Sequence, residues 1–600
     1  WPQYGPDLLA RPDVPRDLPS LAKVFPDAKF PGVNRRVNSA ERAPLSYLRP
    51  AEGLGGNAFA AGPRRTIGDA TVLASDLHSK LTAPGLFYLA RLELASGGVI
   101  GVTVPGMPVI LSGRNPNVAW ALTPLGIDDA DIVMEEVQPG NPDRYRAPDG
   151  WHSFATRREV IRIRDADDQT ITLRETRNGP VVPGIDPGLA DVTPLGHVPA
   201  LRWTGLEPQD TSMSALLGLM RAQDMDSSTA ALVQMVAPAL SVILASDSQI
   251  ASLVAGTAPQ RASDHPTAGA MPAPGWLAST QWSDPMILAQ SPDRAESGVA
   301  LTTDERPSDG LRLARLARLL GDREVHSRDS FIAAQTDIVS PAARALLPLV
   351  GADLWFTEEP AAPGTAERRR QDALALLAEW DGAMNEHLPE PLLYAAWLSA
   401  LQDRLIRDEL GPLADDITRL HPAFIDAVFR NRDGMERWCD IIQSAATEDC
   451  TTIARQALDR AIQDLTARFG PEVASWRWGD LHQARHQHPG LGSLSGLRWI
   501  ANITQSVSGG DFTVARSGFF GRAPTPFAAD RGAGFRGVFD LADPDSSVFI
   551  ISTGQSGHPL SRHYDDLSSL WRRGEYIVMS LDPELARAAS AGITTLVPAD

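Results

Sequence analysis

The sequence predicts an α+β protein in which two blocks of short strands are separated by a long helical block. Three observations carry this. Short apolar runs punctuated by Gly, Pro and Asn fill about residues 57–300. From about 308 to 468 the apolar residues recur at i, i+3 and i+4. From about 498 to 579 the short runs return. This order suits α+β layers rather than alternating βαβ units, and it implies that the C-terminal strands complete the first sheet system.

Taken in order, residues 1–55 are rich in Pro, Arg and Leu with weak periodicity, and read as an extended leader or spacer. Strands are then expected at TVLAS (71–75), GLFYLARLEL (85–94), GVIGVTV (98–104), MPVIL (107–111) and DIVME (131–135). REVIRIRDADDQTITLRET (158–176) alternates on both sides of DADD and reads as a hairpin, as does SVILASDSQIASLVAG (241–256). A helical insert is expected at 211–236. The helical block contains GLRLARLARLL, AERRRQDALALLAEW, EPLLYAAWLSALQDRLI and CTTIARQALDRAIQDLTARF. The closing strands are DFTVARS, FRGVFDL, SVFIIST and EYIVMS.

Six hundred residues suggest about four domains at roughly 150 residues each. Composition is that of an ordinary globular chain, with 43% hydrophobic and 22% charged residues. A net charge of −19 leaves no basic footprint for nucleic acid, and the charge is dispersed as on a solvated surface. No apolar run approaches the roughly 20 residues of a membrane span. The opening WPQYGPDLLARPDVP has no apolar core of a signal peptide. Cys439 and Cys450 read either as two buried thiols or as a disulfide closing a short loop in an oxidising compartment. Asp128, Asp129 and Asp131 in GIDDADI read either as an acidic turn in solvent or as ligands of a hard cation. His482, His486 and His488 have no acidic partner in an HExxH arrangement, and the structural reading is favoured over a metal site.

The motifs are more specific. GLGGNAFAAG (53–62) is followed by SDLHS (75–79), and then by WDG (380–382), WRWGDLHQARHQHP (476–489), SGGDFTV (508–514), GQSGHPLSRHYDD (554–566) and WRRGEY (571–576). In this order the chain resembles the β-chain of the penicillin acylase family of N-terminal-nucleophile amidohydrolases, over almost everything from Gly53 onward. The resemblance implies a four-layer αββα sandwich of two antiparallel sheets flanked by helices. It also overrules the four-domain estimate. Residues 1–55 become an α-chain tail or spacer, and 56–600 one β-chain-like unit with a helical excursion. The rest of an α-chain lies outside this sequence. A periplasmic or secreted setting, no organic cofactor, and hydrolysis of linear acyl amides such as β-lactam side chains or acyl-homoserine lactones are expected.

That chemistry needs a Ser, Cys or Thr whose own α-amine is freed by self-cleavage, together with donors for an oxyanion. The nucleophile position falls on Gly56, which has no group to attack a carbonyl. The first oxyanion donor, a backbone N–H in WALTPLGID, falls on Pro124, which has none. The second, an Asn side chain, falls on Leu240. His78 and Arg261 match family positions near the nucleophile and supporting the site. Ser79, Leu111 and Ser112 fall where relatives line an acyl pocket, and Asp128, Asp131 and the Ala130 carbonyl where they bind structural Ca²⁺. Two functions follow: an acylase by descent, catalytically impaired as written, or a non-catalytic protein that keeps the fold for binding or scaffolding.

Overall fold

The computed structural model describes residues 19–30 and 54–595, apart from short stretches at 183–186, 289–292, 295–297, 305–309, 356–358, 418–420, 520–524 and 589. Most of the expected leader therefore lies outside the described residues.

Strand β1 spans Gly55–Ala61 and β2 spans Val72–Lys80. They pair antiparallel, with Gly56 opposite Leu77 and Ala61 opposite Val72. β1 also pairs with Val299–Thr303, and β2 with the long C-terminal strand Ala529–Asp540. Strands from the two ends of the chain thus lie side by side in a sheet of nine strands among the described residues. The return to strands after the helical block does complete the first sheet.

A second sheet contains β3 (Tyr88–Leu94), β4 (Gly97–Thr103), β5 (Ser112–Arg114), β6 (Ala119–Pro124) and the hairpin Leu240–Ala245/Ile250–Ala255. Side chains alternate along a strand, so each sheet has two distinct faces. Ala58, Ala60, Leu73, Leu77, Phe535 and Phe539 of the first sheet meet Ala119, Ala121, Ile243 and Ala245 of the second. On the opposite face of the first sheet, Phe59, Val72, Ala74 and Val538 pack against Leu316, Leu320 and Phe331 of helices Leu311–Gly321 and Arg328–Gln335. Beyond the second sheet, Trp120, Leu122, Leu240, Val242 and Leu244 pack against helices Ser212–Arg221 and Met225–Leu232. The alanines of β1 and β6 let the two sheets approach, and the large residues point outward to the helices.

The helical excursion has its own core, which includes Trp397, Trp438, Leu401, Leu405 and Leu458. Cys439 and Cys450 are bridged, fastening the turn Arg432–Cys439 to the start of helix Cys450–Phe469. A bridge over so short a loop contributes on the order of 2–4 kcal/mol.

Two expected strands are not strands. MPVIL is an irregular connection: Val109 and Ile110 are buried, the Ile110 carbonyl accepts the Trp120 indole N–H, and its amide meets the Met220 sulfur. DFTVARS is mostly turn: Arg516 makes an isolated bridge to Gly510, and Ser517 opens the short paired strand Ser517–Phe519. In both, burial comes from contacts to distant residues, which an apolar run cannot distinguish from a strand.

Candidate active site

The alternation along β1 divides the candidate site in two. Gly56, Ala58 and Ala60 face the second sheet, whereas Gly55, Asn57 and Phe59 face the helices. Gly56 lies within paired strand, and its carbonyl accepts the Asp304 amide at 3.0 Å. A Cβ at this position would fall on the Asp76 carbonyl oxygen, so the backbone is packed for the absence of a side chain.

Thr71 N–H donates to the Asp247 carbonyl, which sits in the turn just after Ala245. The Ala61/Val72 end of the first pair therefore lies by the hairpin turn. The Gly56 end lies by the start of Leu240–Ala245 and the end of β6, which also packs against β1. There Leu240 is opposite Pro124 and Ser241 opposite Thr123. Leu125 N–H donates to the Ala239 carbonyl, so the Pro124 nitrogen points away from that hairpin, and its missing N–H costs no ladder bond there.

Leu240, expected to replace a donor, is buried in the cluster against the helices and points away from Gly56. By the same alternation it is Ser241 and Thr123 that face the first sheet. Thr123 is fully buried and its hydroxyl has no hydrogen-bond partner. Leu240 is thus a core strand residue, the reading that its apolar side chain favours.

His78 is also on the helical face. Its Nε2 is 2.8 Å from Asp76 Oδ2, and the carboxylate can only accept, so Nε2 carries the proton. Nδ1 is left facing the Arg312 guanidinium at 3.5 Å. Burial lowers the His78 pKa, and Asp76 opposes this without reversing it. The ring is neutral at pH 7 and is held in place behind β1.

Around it stands a network that motif matching missed. Asn57 donates to Asp76 Oδ2 at 2.8 Å and to the Val514 carbonyl at 3.2 Å, and accepts from Arg312 at 2.8 Å. Asp304 bridges Arg312 at 2.5 Å and Arg516 at 3.2 Å. Burial pushes the Asp304 carboxyl up, but the two guanidinium groups win and hold it well below the usual carboxylate range. A sequence signal existed. Arg312, Leu316 and Leu320 fall on one buried helix stripe, so an arginine opens an otherwise apolar face.

The remaining candidates are spread out. Ser112 Oγ receives the Ser75 hydroxyl at 3.1 Å and the Leu122 amide at 3.2 Å, so it serves as a buried spacer between the sheets. Leu111 is half-buried between the two sheet cores. The Ser79 hydroxyl donates to the Lys80 carbonyl. Arg261 pairs with the acidic segment that follows β6. Its Nε and Nη2 hold Asp131 at 3.1 and 2.9 Å, and its Nη2 reaches the Asp128 carbonyl at 3.2 Å. Trp282 donates to Asp131 at 2.6 Å, and Trp203 to Asp129 at 3.1 Å. Ala130 sits in the ladder opposite Trp203. Calcium takes six to eight oxygen ligands. Here the oxygens of Asp131 are already engaged, and the Arg261 guanidinium supplies the neutralising charge. The residues present do not fit a structural calcium. Among the described residues no group of three or more His, Cys, Asp or Glu is arranged to hold a metal.

His482 and His486 are not on a helix. His482 stacks on Trp478 and bridges the Phe527 carbonyl and the Ser517 hydroxyl, each at 2.8 Å. His486 is buried with neither ring nitrogen hydrogen-bonded. Burial lowers both to a pKa of about 4.

The sequence pattern of the penicillin amidase family matches residues 7–588, and the chain belongs to that family. It is 26% identical over 588 residues to the acyl-homoserine lactone acylase QuiP of Pseudomonas fluorescens (strain Pf0-1), covering 93% of this chain and 69% of that one. It is 26% identical over 625 residues to the penicillin acylase 2 proenzyme of Pseudomonas sp. (strain SE83), covering 99% and 75%. Among solved structures, a thermostable penicillin G acylase from Alcaligenes faecalis superimposes with a TM-score of 0.66 at 18% identity, covering 91% of this chain and 100% of that one. The last likeness concerns the fold alone.

Proposed function

We propose that this protein is an acylase by descent that holds a linear acyl amide between its two sheets without hydrolysing it through residue 56. One observation carries the reading. Gly56 offers no nucleophile, and the Asp76 carbonyl stands where a Cβ would be. Nucleophilic catalysis of this type needs a side-chain oxygen or sulfur and a free α-amine beside it. The helix–sheet–sheet–helix order read from the buried clusters is taken as the four-layer sandwich of the family.

Pro124 supports the same reading, because a backbone donor is absent where the register places that strand end. The ligand class rests on the relatives, which are named for acyl-homoserine lactones and penicillin. The proenzyme relative supports an α-chain part supplied from outside this sequence. A Cys439–Cys450 bridge suits an oxidising compartment and supports a periplasmic or secreted setting.

The test compares the chain with Gly56→Ser on three readouts: intact mass, amine release from a panel of N-acyl amides, and calorimetric binding of the same panel. The native chain should stay uncut between Gly55 and Gly56, release no amine, and bind at least one N-acyl amide saturably. Amine release by the native chain would overturn the proposal. Self-cleavage and turnover in Gly56→Ser would show that position 56 is the single lesion and that Pro124 is no defect.

A further inference from the structure

On the helical side of the first sheet, away from the face Gly56 presents, lies a cavity of about 270 Å³. Four arginines line it, Arg516, Arg536, Arg572 and Arg573, and among the described residues no carboxylate does. Three of the four have acidic partners elsewhere. Arg516 meets Asp304 at 3.2 Å, Arg572 meets Glu386 at 2.8 Å, and Arg573 meets Glu575 at 2.7 Å.

Arg536 differs. It is 7% exposed, on the strand Ala529–Asp540, and among the described residues it has no ion pair. One Nη donates to the Trp571 carbonyl at 3.0 Å, the guanidinium lies 5.3 Å from the centre of the Trp571 ring, and its buried Nε has no acceptor. Its cross-strand neighbour Asp76 turns Oδ2 to Asn57 and His78, and Asp76 Oδ1 is buried but makes no hydrogen bond to Arg536 among the described residues. An arginine stays charged at any ordinary pH, and a buried charge without a counter-charge is costly. A cavity edged by such a group supplies the missing partner by taking an anion.

We propose that this cavity binds a small organic carboxylate, with Arg536 as its principal counter-charge. One guanidinium without a direct ion pair among the described residues matches a monoanion. The planar fork of N–H groups matches the two oxygens of a carboxylate. Trp571, Val507 and Ile338 give the cavity apolar wall for the organic part, and the Ser508 hydroxyl adds a polar edge. This site is separate from the space between the sheets and does not depend on how that space is used.

The experiment titrates the full chain with 4-bromobenzoate by calorimetry in low-chloride buffer, with inorganic phosphate as the comparison arm. A bromobenzoate-soaked crystal then locates the bromine by anomalous scattering. Expected are 1:1 saturable binding of bromobenzoate, weaker binding of phosphate, at least a tenfold loss in Arg536→Met, and a bromine peak inside the cavity. Binding of phosphate alone would overturn the carboxylate assignment. Undiminished binding by Arg536→Met, no binding at all, or a bromine peak only between the sheets would overturn the site. If Arg536→Met does not fold, Arg536→Lys keeps the charge and loses the fork. The soaked native crystal decides the location without any variant.

Discussion

The two faces of β1 carry opposite designs. Toward the helices, Asn57 joins Asp76, His78, Arg312, Asp304 and Arg516 in a buried polar network in which acid and base are paired. Toward the second sheet, Gly56 and Ala58 offer almost nothing, and the hydroxyl across from them, on Thr123, has no partner. One strand thus separates a buried polar network from a face that carries little beyond glycine and alanine. The network is held as a unit, because removing one member of a buried charge network leaves the others uncompensated.

The contrast can be broken by substitution, beginning with the strongest effect. Asp304→Ala should leave Arg312 and Arg516 without their shared carboxylate and cost about 3–5 kcal/mol in urea unfolding. A loss under 1 kcal/mol would mean that the network is not what holds β1 in place.

Acid comes next. His482 and His486 have pKa values of about 4 in the folded chain against an ordinary 6.5. Between these values the unfolded chain binds more protons, so stability is full above pH 6.5 and declines as pH falls toward 4. From pH 7.5 to 5 each ring should account for about 2 kcal/mol. His486→Leu should remove one share of that decline while leaving stability at pH 7.5 unchanged or raised, because its ring nitrogens lack partners. Unfolding curves at both pH values give the comparison. An unchanged acid decline in the variant would contradict the assignment.

On the inner face the effects are smaller. Gly56→Ala should destabilise by about 1–3 kcal/mol, since its methyl must displace the Asp76 backbone. A neutral result would show that strand β1 has room for a side chain after all, and would favour restoring a nucleophile there. The smallest effect is expected from Thr123→Val, which should be neutral or stabilising by up to about 1 kcal/mol because the hydroxyl it removes is buried and unpartnered. A loss well beyond that would reveal a role for the hydroxyl.

Much of the architecture was legible in the chain itself. The 3.6-residue periodicity of GLRLARLARLL and CTTIARQALDRAIQDLTARF became the helices Leu311–Gly321 and Cys450–Phe469. The alternation around DADD became the hairpin Ala155–Ile161/Gln169–Thr176. Periodicity is local: each helix buries one apolar stripe, and the hairpin keeps its alternation although most of it is exposed. MPVIL failed because its burial depends on Trp120 and Met220, far along the chain.

The site divides in the same way. That residue 56 is glycine, and that residue 124 has no N–H to offer, are covalent facts, and the sequence by itself determined them. Which way a side chain points was decided only by tertiary structure. The pairing of Leu240 with Pro124 sends the leucine to the helices and brings Ser241 and Thr123 inward. Arg261 was a single letter until folding set it against Asp131, 130 positions away, where it takes up the oxygens a calcium would need. Arg536 makes no ion pair among the described residues although Asp76 lies opposite it in the sheet, because Asp76 Oδ2 turns to Asn57 and His78. A linear chain lists its charges, but pairing depends on distance through space, and only the folded sheets fix that.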